Sequence, residues 1–132
     1  METDNAKKAE MAYATAAALW QAKKLSQART YAQKAISFNE NYGEPYILLA
    51  QMYGSSPNWS DEPALNRCTY FVVIDKLQRA KAVDPSVTDK VNELIRTYAA
   101  HTPQAKDLFM LGYKAGDRIT IGGWIGESTT IR

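Results

Sequence analysis

The chain has 132 residues, a size that suits one compact domain or a piece of a longer chain. Its 45% hydrophobic content supports a core and argues against disorder, and a formal net charge of +2 is too small to imply nucleic acid by itself. Cys68 is the single cysteine, so neither an internal disulfide nor a cysteine metal cluster can form. No apolar run approaches the roughly 20 residues of a membrane-spanning helix.

Residues 2 to about 24 are rich in alanine, the best helix former, with Met11, Ala12, Ala16, Leu19 and Trp20 on one side. Thr3 or Asp4 is the expected cap, and Lys23-Lys24 suits the C-terminal end of the helix dipole. The opening residues Met1 to Asn5 are acidic and polar rather than a signal peptide. The chain is therefore either cytoplasmic or has lost a leader and gained Met1.

A second helix follows from Leu25, with Ala28, Tyr31, Ala32, Ala35, Ile36 and Phe38 at the i, i+3, i+4, i+7 spacing of an apolar face. Asn41-Tyr42-Gly43 breaks it. A third helix carries Tyr46, Leu49, Ala50 and Tyr53 to Gly54. The small residues let two helix backbones approach closely and the large ones fill the remaining space. Such a pair cannot bury its own apolar face and needs neighbours.

Residues 54–60 are a loop by composition, and the span 40–66 carries Glu40, Glu44, Asp61 and Glu62 with no lysine or arginine. That acidic segment is a solvated loop or a docking site for a basic partner. Ser60 or Asp61 should cap a long helix reaching Val83, with Pro63 in its first turn and Asp75–Arg79 as an i, i+4 ion pair. Its middle, Tyr70 to Ile74, is apolar all round and is covered on more than one side. Ser86 with Asp89 resembles a capping box for a fifth helix bearing Val87, Val91, Leu94, Ile95 and Tyr98. Thr102-Pro103 should open a short sixth helix with Leu108, Phe109 and Leu111 on its apolar side and Gly112 as its stop.

After Gly116 the period changes from helical to two residues: Ile119, Ile121, Gly123 and Ile125 alternate with Arg118, Thr120, Gly122 and Trp124. With Ser128 to Ile131 this predicts a β-hairpin, turning at Gly126-Glu127 or at Gly122-Gly123. Two strands are marginal in water, so the tail must lie on the helices or pair with another chain. The expected organisation is a helical body over residues 1–112 with a long loop at 54–61, and a hairpin tail over 113–132.

The central segment resembles the tetratricopeptide repeat, about 34 residues of paired helix. Ala28 and Ala35 stand at the small positions of a second helix. Tyr46, Leu49, Ala50 and Tyr53 fit the first-helix pattern, and Ala80 with Asp84-Pro85 fits the closing of a unit. Val91, Leu94, Ile95 and Tyr98 open another first helix. Two departures stand out. Asn39 and Asp84, equivalent ends, are 45 positions apart because of the loop near residues 57–66, and Ala12, Thr15 and Leu19 make a degenerate first unit. The resemblance covers residues 6–100. It implies a mainly α fold of antiparallel helix pairs stacked in a right-handed superhelix, closed here by the short hairpin. Residues 101–132 look like the ending of a group of bacterial repeat proteins that often carry a leader, which implies a cell-envelope location.

Repeats of this kind hold peptides in a groove lined by their first helices. Carried onto this chain, the groove candidates are Tyr13, Ala17, Trp20 and Gln21, then Glu44, Ile47, Gln51 and Ser55, then Asp89, Asn92 and Arg96. Several of these are equally read as ordinary surface or as positions under the tail. Ile47 and Gln51 stand where a carboxylate-binding clamp would need Lys and Asn, so chaperone binding is not expected. Trp59 is a partner anchor or a pin holding its loop to the body. Trp124, beside three glycines, covers helix ends or lines a contact.

His101 lacks a second metal ligand at suitable spacing and reads as a helix-end residue, and Cys68 reads as a small core residue. Residues 122–126 have neither the spacing nor the following helix of a phosphate loop. Lys7, Lys8, Lys23, Lys24 and Lys34 lack the aromatic interleaving of a nucleic-acid face. The expectation is therefore a non-enzymatic protein- or peptide-binding scaffold with no cofactor or metal. The alternative is an assembly unit that self-associates or docks through its glycine-rich hairpin.

Overall fold

The computed structural model describes residues 2–56 and 58–132, with the side chains of Glu2 and Thr3 and the whole of Met1 and Pro57 outside the described residues. The chain is mainly helical: α1 (Glu2–Gln21), α2 (Leu25–Phe38), α3 (Glu44–Gly54), α4 (Pro63–Arg67), α5 (Thr69–Val83), a 3-10 turn (Pro85–Val87), α6 (Thr88–Ala99) and α7 (Ala105–Met110). Two short antiparallel strands close it, β1 (Arg118–Thr120) and β2 (Ser128–Thr130), in the register Arg118 to Thr130, Ile119 to Thr129 and Thr120 to Ser128.

Alanine decides how the first pair meets. Ala9, Ala12 and Ala16 of α1 and Ala28, Ala32 and Ala35 of α2 are all buried, and the two helices pack along their length. α1 already runs from Glu2, so Asp4 lies inside the helix and does not cap it; the Thr3 cap lies outside the described residues. The helix stops in a Schellman turn: the Lys24 amide donates to Leu19 O at 2.9 Å and the Lys23 amide to Trp20 O at 2.8 Å. Lys23 takes the left-handed conformation (φ 63°) that glycine usually supplies.

α3 is the central rod. Ile47, Leu48, Leu49, Ala50, Met52 and Tyr53 are all buried, and α3 packs against α1, α2 and α5. Gly43 lets its start approach the α5 corner. A Cβ there would stand 2.9 Å from Asp84 Cβ and 3.1 Å from Ala80 O, and the Gly43 amide donates to Asp84 Oδ2 at 2.9 Å. Asp84 also accepts from the Ser86 amide at 3.1 Å, so it, and not a Ser86–Asp89 capping box, starts the turn into α6. The Ser86 hydroxyl, which donates to Asp84 Oδ1 at 2.6 Å, and then the Gly43 and Ser86 amides hold the Asp84 carboxyl below its usual range.

The apolar run Tyr70 to Ile74 lies within α5, in a helix as expected, with Phe71, Val72 and Val73 buried. The long helix expected over 61–83 is instead two pieces that meet at Cys68, whose backbone stays near helical (φ −62°, ψ −22°). Glu62 is the cap position, and the Ser60 hydroxyl accepts from its amide at 3.1 Å. Asp75 does not pair with Arg79. It is taken by the tail, accepting from Thr129 Oγ1 at 2.7 Å and from the Arg132 guanidinium. α7 starts at Ala105 without a side-chain cap, so Thr102-Pro103 is not its opening; Thr102 Oγ1 bonds back to Ala99 O at 2.8 Å. Only Leu108 of α7 is buried, whereas Phe109 is 74% exposed. Gly112 ends the segment in the left-handed region (φ 92°) as expected.

The strands are joined by a seven-residue loop, 121–127, rather than by either two-residue turn. The reason is packing. Ile121 and Ile125 of this loop are buried in the same core as α2, α3 and α5, together with Ile119 and Ile131 of the hairpin. A tight turn would have left those side chains in water. The tail therefore lies on the helices of its own chain.

Candidate functional site

Side chains of α1, α3 and α6 meet at Glu44. Its N-terminal position on α3 suits a carboxylate, because free backbone amides and the helix dipole point there. Tyr13 of α1 donates its hydroxyl to Glu44 Oε2 at 3.5 Å, and Lys90 of α6 pairs with the same oxygen at 3.1 Å. Tyr42, in the turn before α3, meets Tyr13 edge to face with ring centres 5.7 Å apart. Burial raises the Tyr13 phenol, and the Glu44 charge and hydrogen bond raise it further. Tyr42 is pushed up to about 12, first by burial and then by Tyr13, Glu44, Glu10 and Asp84.

The other groove candidates divide. Gln51 is half-buried in line with Glu44, and Ser55, exposed, returns its hydroxyl to Met52 O at 2.7 Å. Ile47 is 1% exposed and belongs to the core, so it offers nothing to a ligand; it is turned about 50° off the 44–51 stripe, which is enough to face it inward. Trp20 and Ala17 are half-buried, Trp20 against the core, and Gln21 is exposed. On α6, Asp89 and Arg96 are exposed, while Asn92 turns toward α5 and accepts from Lys81 Nζ at 3.0 Å. Sequence reasoning missed Tyr42 and Lys90: the first reads only as part of the Asn41-Tyr42-Gly43 helix break, and the second carries no motif.

A second cluster anchors the tail. Tyr53 donates its hydroxyl to Glu127, Lys76 Nζ pairs with Glu127 at 2.8 Å, and Arg29 stands 3.8 Å from it. Arg29 also donates to Trp124 O at 2.7 Å, and its guanidinium lies over the Tyr53 ring. Burial and the Glu127 carboxylate drive the Tyr53 phenol well above its ordinary value. Trp124 packs edge to face on Tyr53 with centres 5.3 Å apart, so its contact is internal. Trp59 lies on Gly122, where a Cβ would stand 2.9 Å from its ring, and so pins its loop to the tail. Neither indole N–H has a partner among the described residues, so ring packing places both side chains. Asn66 holds the same loop, accepting from the Trp59 and Ser60 amides at 2.8 and 2.7 Å. Glu127 and Asn66 carry no motif that sequence reasoning could have used.

Two of the clefts among the described residues include none of these groove candidates. One, of about 490 Å³, is of mixed character and lined by Ser60, Asn66, Arg67, Tyr70 and His101. His101 is exposed and lies against Tyr70, which stacks in turn on Tyr98. The other is apolar and lies between α7 and the chain's last residues. The Cys68 thiol is buried and pushed up to about 11 by that burial, which keeps it protonated and inert. Among the described residues no three His, Cys, Asp or Glu side chains gather as metal ligands, and no helix is long and apolar enough to cross a membrane. No family model matches the chain, and neither curated proteins nor solved structures give a significant match.

Proposed function

We propose that the chain is a non-enzymatic scaffold of the tetratricopeptide type, which holds a protein or peptide segment across α1, α3 and α6. On this reading the helix pairs stack in a right-handed superhelix, with those three helices on its inner face. The observation that supports it is the convergence of Tyr13, Lys90 and Glu44, which links α1, α3 and α6. Gln51 and Arg96 extend that polar stripe with side chains not consumed by the core. The assembly alternative has less support, because the hairpin isoleucines and Glu127 already contact helices of the same chain.

The test is selection of a displayed random-peptide library on the full chain, followed by titration of the enriched peptides. Gln51→Ala with Arg96→Ala should weaken the winning peptides about tenfold or more, two polar contacts of roughly 1 kcal/mol each. Circular dichroism of the variant should be unchanged. Unaltered binding by that variant, or no enrichment at all, would overturn the reading.

A further inference from the structure

The apolar cleft beside α7 has a volume of about 450 Å³. Leu108, Tyr113 and Ile131 form its floor, and Leu108 and Ile131 are nearly inaccessible to water. Phe109 and Met110 stand up around it, 74% and 84% exposed. Large side chains held this far out of a core are the kind of surface that marks a binding site. The volume falls within the roughly 300–1,000 Å³ of small-molecule sites, which are mostly apolar with a few placed polar groups.

The side chains that line this cleft carry positive charge only, against the single α-carboxylate of Arg132. Lys106, Lys114 and Arg132 border it, and no carboxylate side chain does. Asp107, their neighbour on α7, lines a separate cleft with Glu62 and Arg67. Arg132 is committed to Asp75 and lies over the Phe71 ring, so Lys106 and Lys114 are the two cations left to a ligand. Both are exposed and flexible enough to meet a head group at the rim.

We propose that this cleft binds one molecule of a single-chain anionic amphiphile, of the fatty-carboxylate class. The alkyl chain lies on Leu108, Tyr113 and Ile131 and is covered by Phe109 and Met110. The carboxylate sits at the rim with Lys106 and Lys114. The site is remote from Glu44 and does not depend on the peptide-binding reading.

The probe is dodecanoate below its micelle concentration, titrated into the isotopically labelled full chain while amide shifts are followed. Saturable one-to-one binding with shifts confined to residues 105–115 and 131–132 is expected. Lys106→Glu with Lys114→Glu should weaken dodecanoate roughly tenfold, from two lost and two reversed charge contacts. The same variant should bind dodecylammonium better than the wild type does. Phe109→Ala with Met110→Ala, both at exposed positions, should weaken binding by a similar factor through lost apolar cover. Equal affinity for dodecanoate and dodecylammonium in the wild type would overturn the proposal. So would shifts seen only with anionic vesicles, which would make this a membrane-facing surface, or only with an acidic peptide.

Discussion

Single residues carry the tail. Glu127 sits in a stretch whose neighbours are glycine, serine and threonine, yet it gathers Tyr53, Lys76 and Arg29 from three helices. A hydrogen bond to a charged group is worth about 1.5–3 kcal/mol, because the partner is left short of a donor when it is lost. Tyr53→Phe should therefore lower unfolding stability by about 2 kcal/mol, read from urea denaturation. Glu127→Gln should cost a similar amount, and the double variant clearly less than the sum of the two, since both remove one interaction. Additive losses would mean that the hydroxyl and the carboxylate act independently. Asp75 teaches the same lesson. Four-residue spacing on a helix offered Arg79 as its partner, but Thr129 and Arg132 arrive from the far end of the chain and take it.

Helices depend on where glycine and alanine let them touch. Gly43 has no unusual backbone angle, so its value is close approach alone. Gly43→Ala would push a methyl group into Asp84 Cβ, Val87 Cγ2 and Ala80 O, all between 2.9 and 3.1 Å away. Two of those contacts are fixed by backbone or by the Asp84 turn, so the neighbour cannot yield cheaply. The expected loss is about 1–3 kcal/mol, measured by chemical denaturation, with the Asp84–Gly43 hydrogen bond weakened as well. Stability equal to wild type would show that α3 and the α5 corner are not rigidly joined. Helix identity was legible over most of the chain, because apolar spacing and turn residues are local, but the division of the expected 61–83 helix into α4 and α5 at Cys68 was not. Helix boundaries were less so: Asp84 displaced the Ser86–Asp89 capping box, and α7 starts at Ala105, two residues past Pro103.

The whole molecule should respond to alkaline pH. Tyr13, Tyr42, Tyr53 and Tyr98 all have phenols raised above their ordinary value, burial being the first cause for each. A group that holds its proton more tightly when folded stabilises fully below its unfolded pKa and loses that contribution as pH rises toward the folded one. The stability curve should thus begin to fall near pH 9, where the buried Cys68 thiol starts to lose its contribution, and fall more steeply above about pH 10, the ordinary phenol value. For Tyr42 the window closes at about 12. Unfolding free energies at intervals from pH 8 to 12 measure this, and Tyr42→Phe should make the fall shallower. A variant with an unchanged slope would remove Tyr42 from the account.

Periodicity, alanine spacing and punctuation by glycine and proline determined on their own that this chain is mainly helical with a terminal hairpin. Those signals act over a few residues and survive without tertiary context. Tertiary structure alone decided what the hairpin rests on, that its turn opens into a seven-residue loop, and which charges meet there. The physical reason is burial. Ile121 and Ile125 gain more by entering the shared core than a two-residue turn would gain by closing tightly, and no local pattern records that a core waits for them.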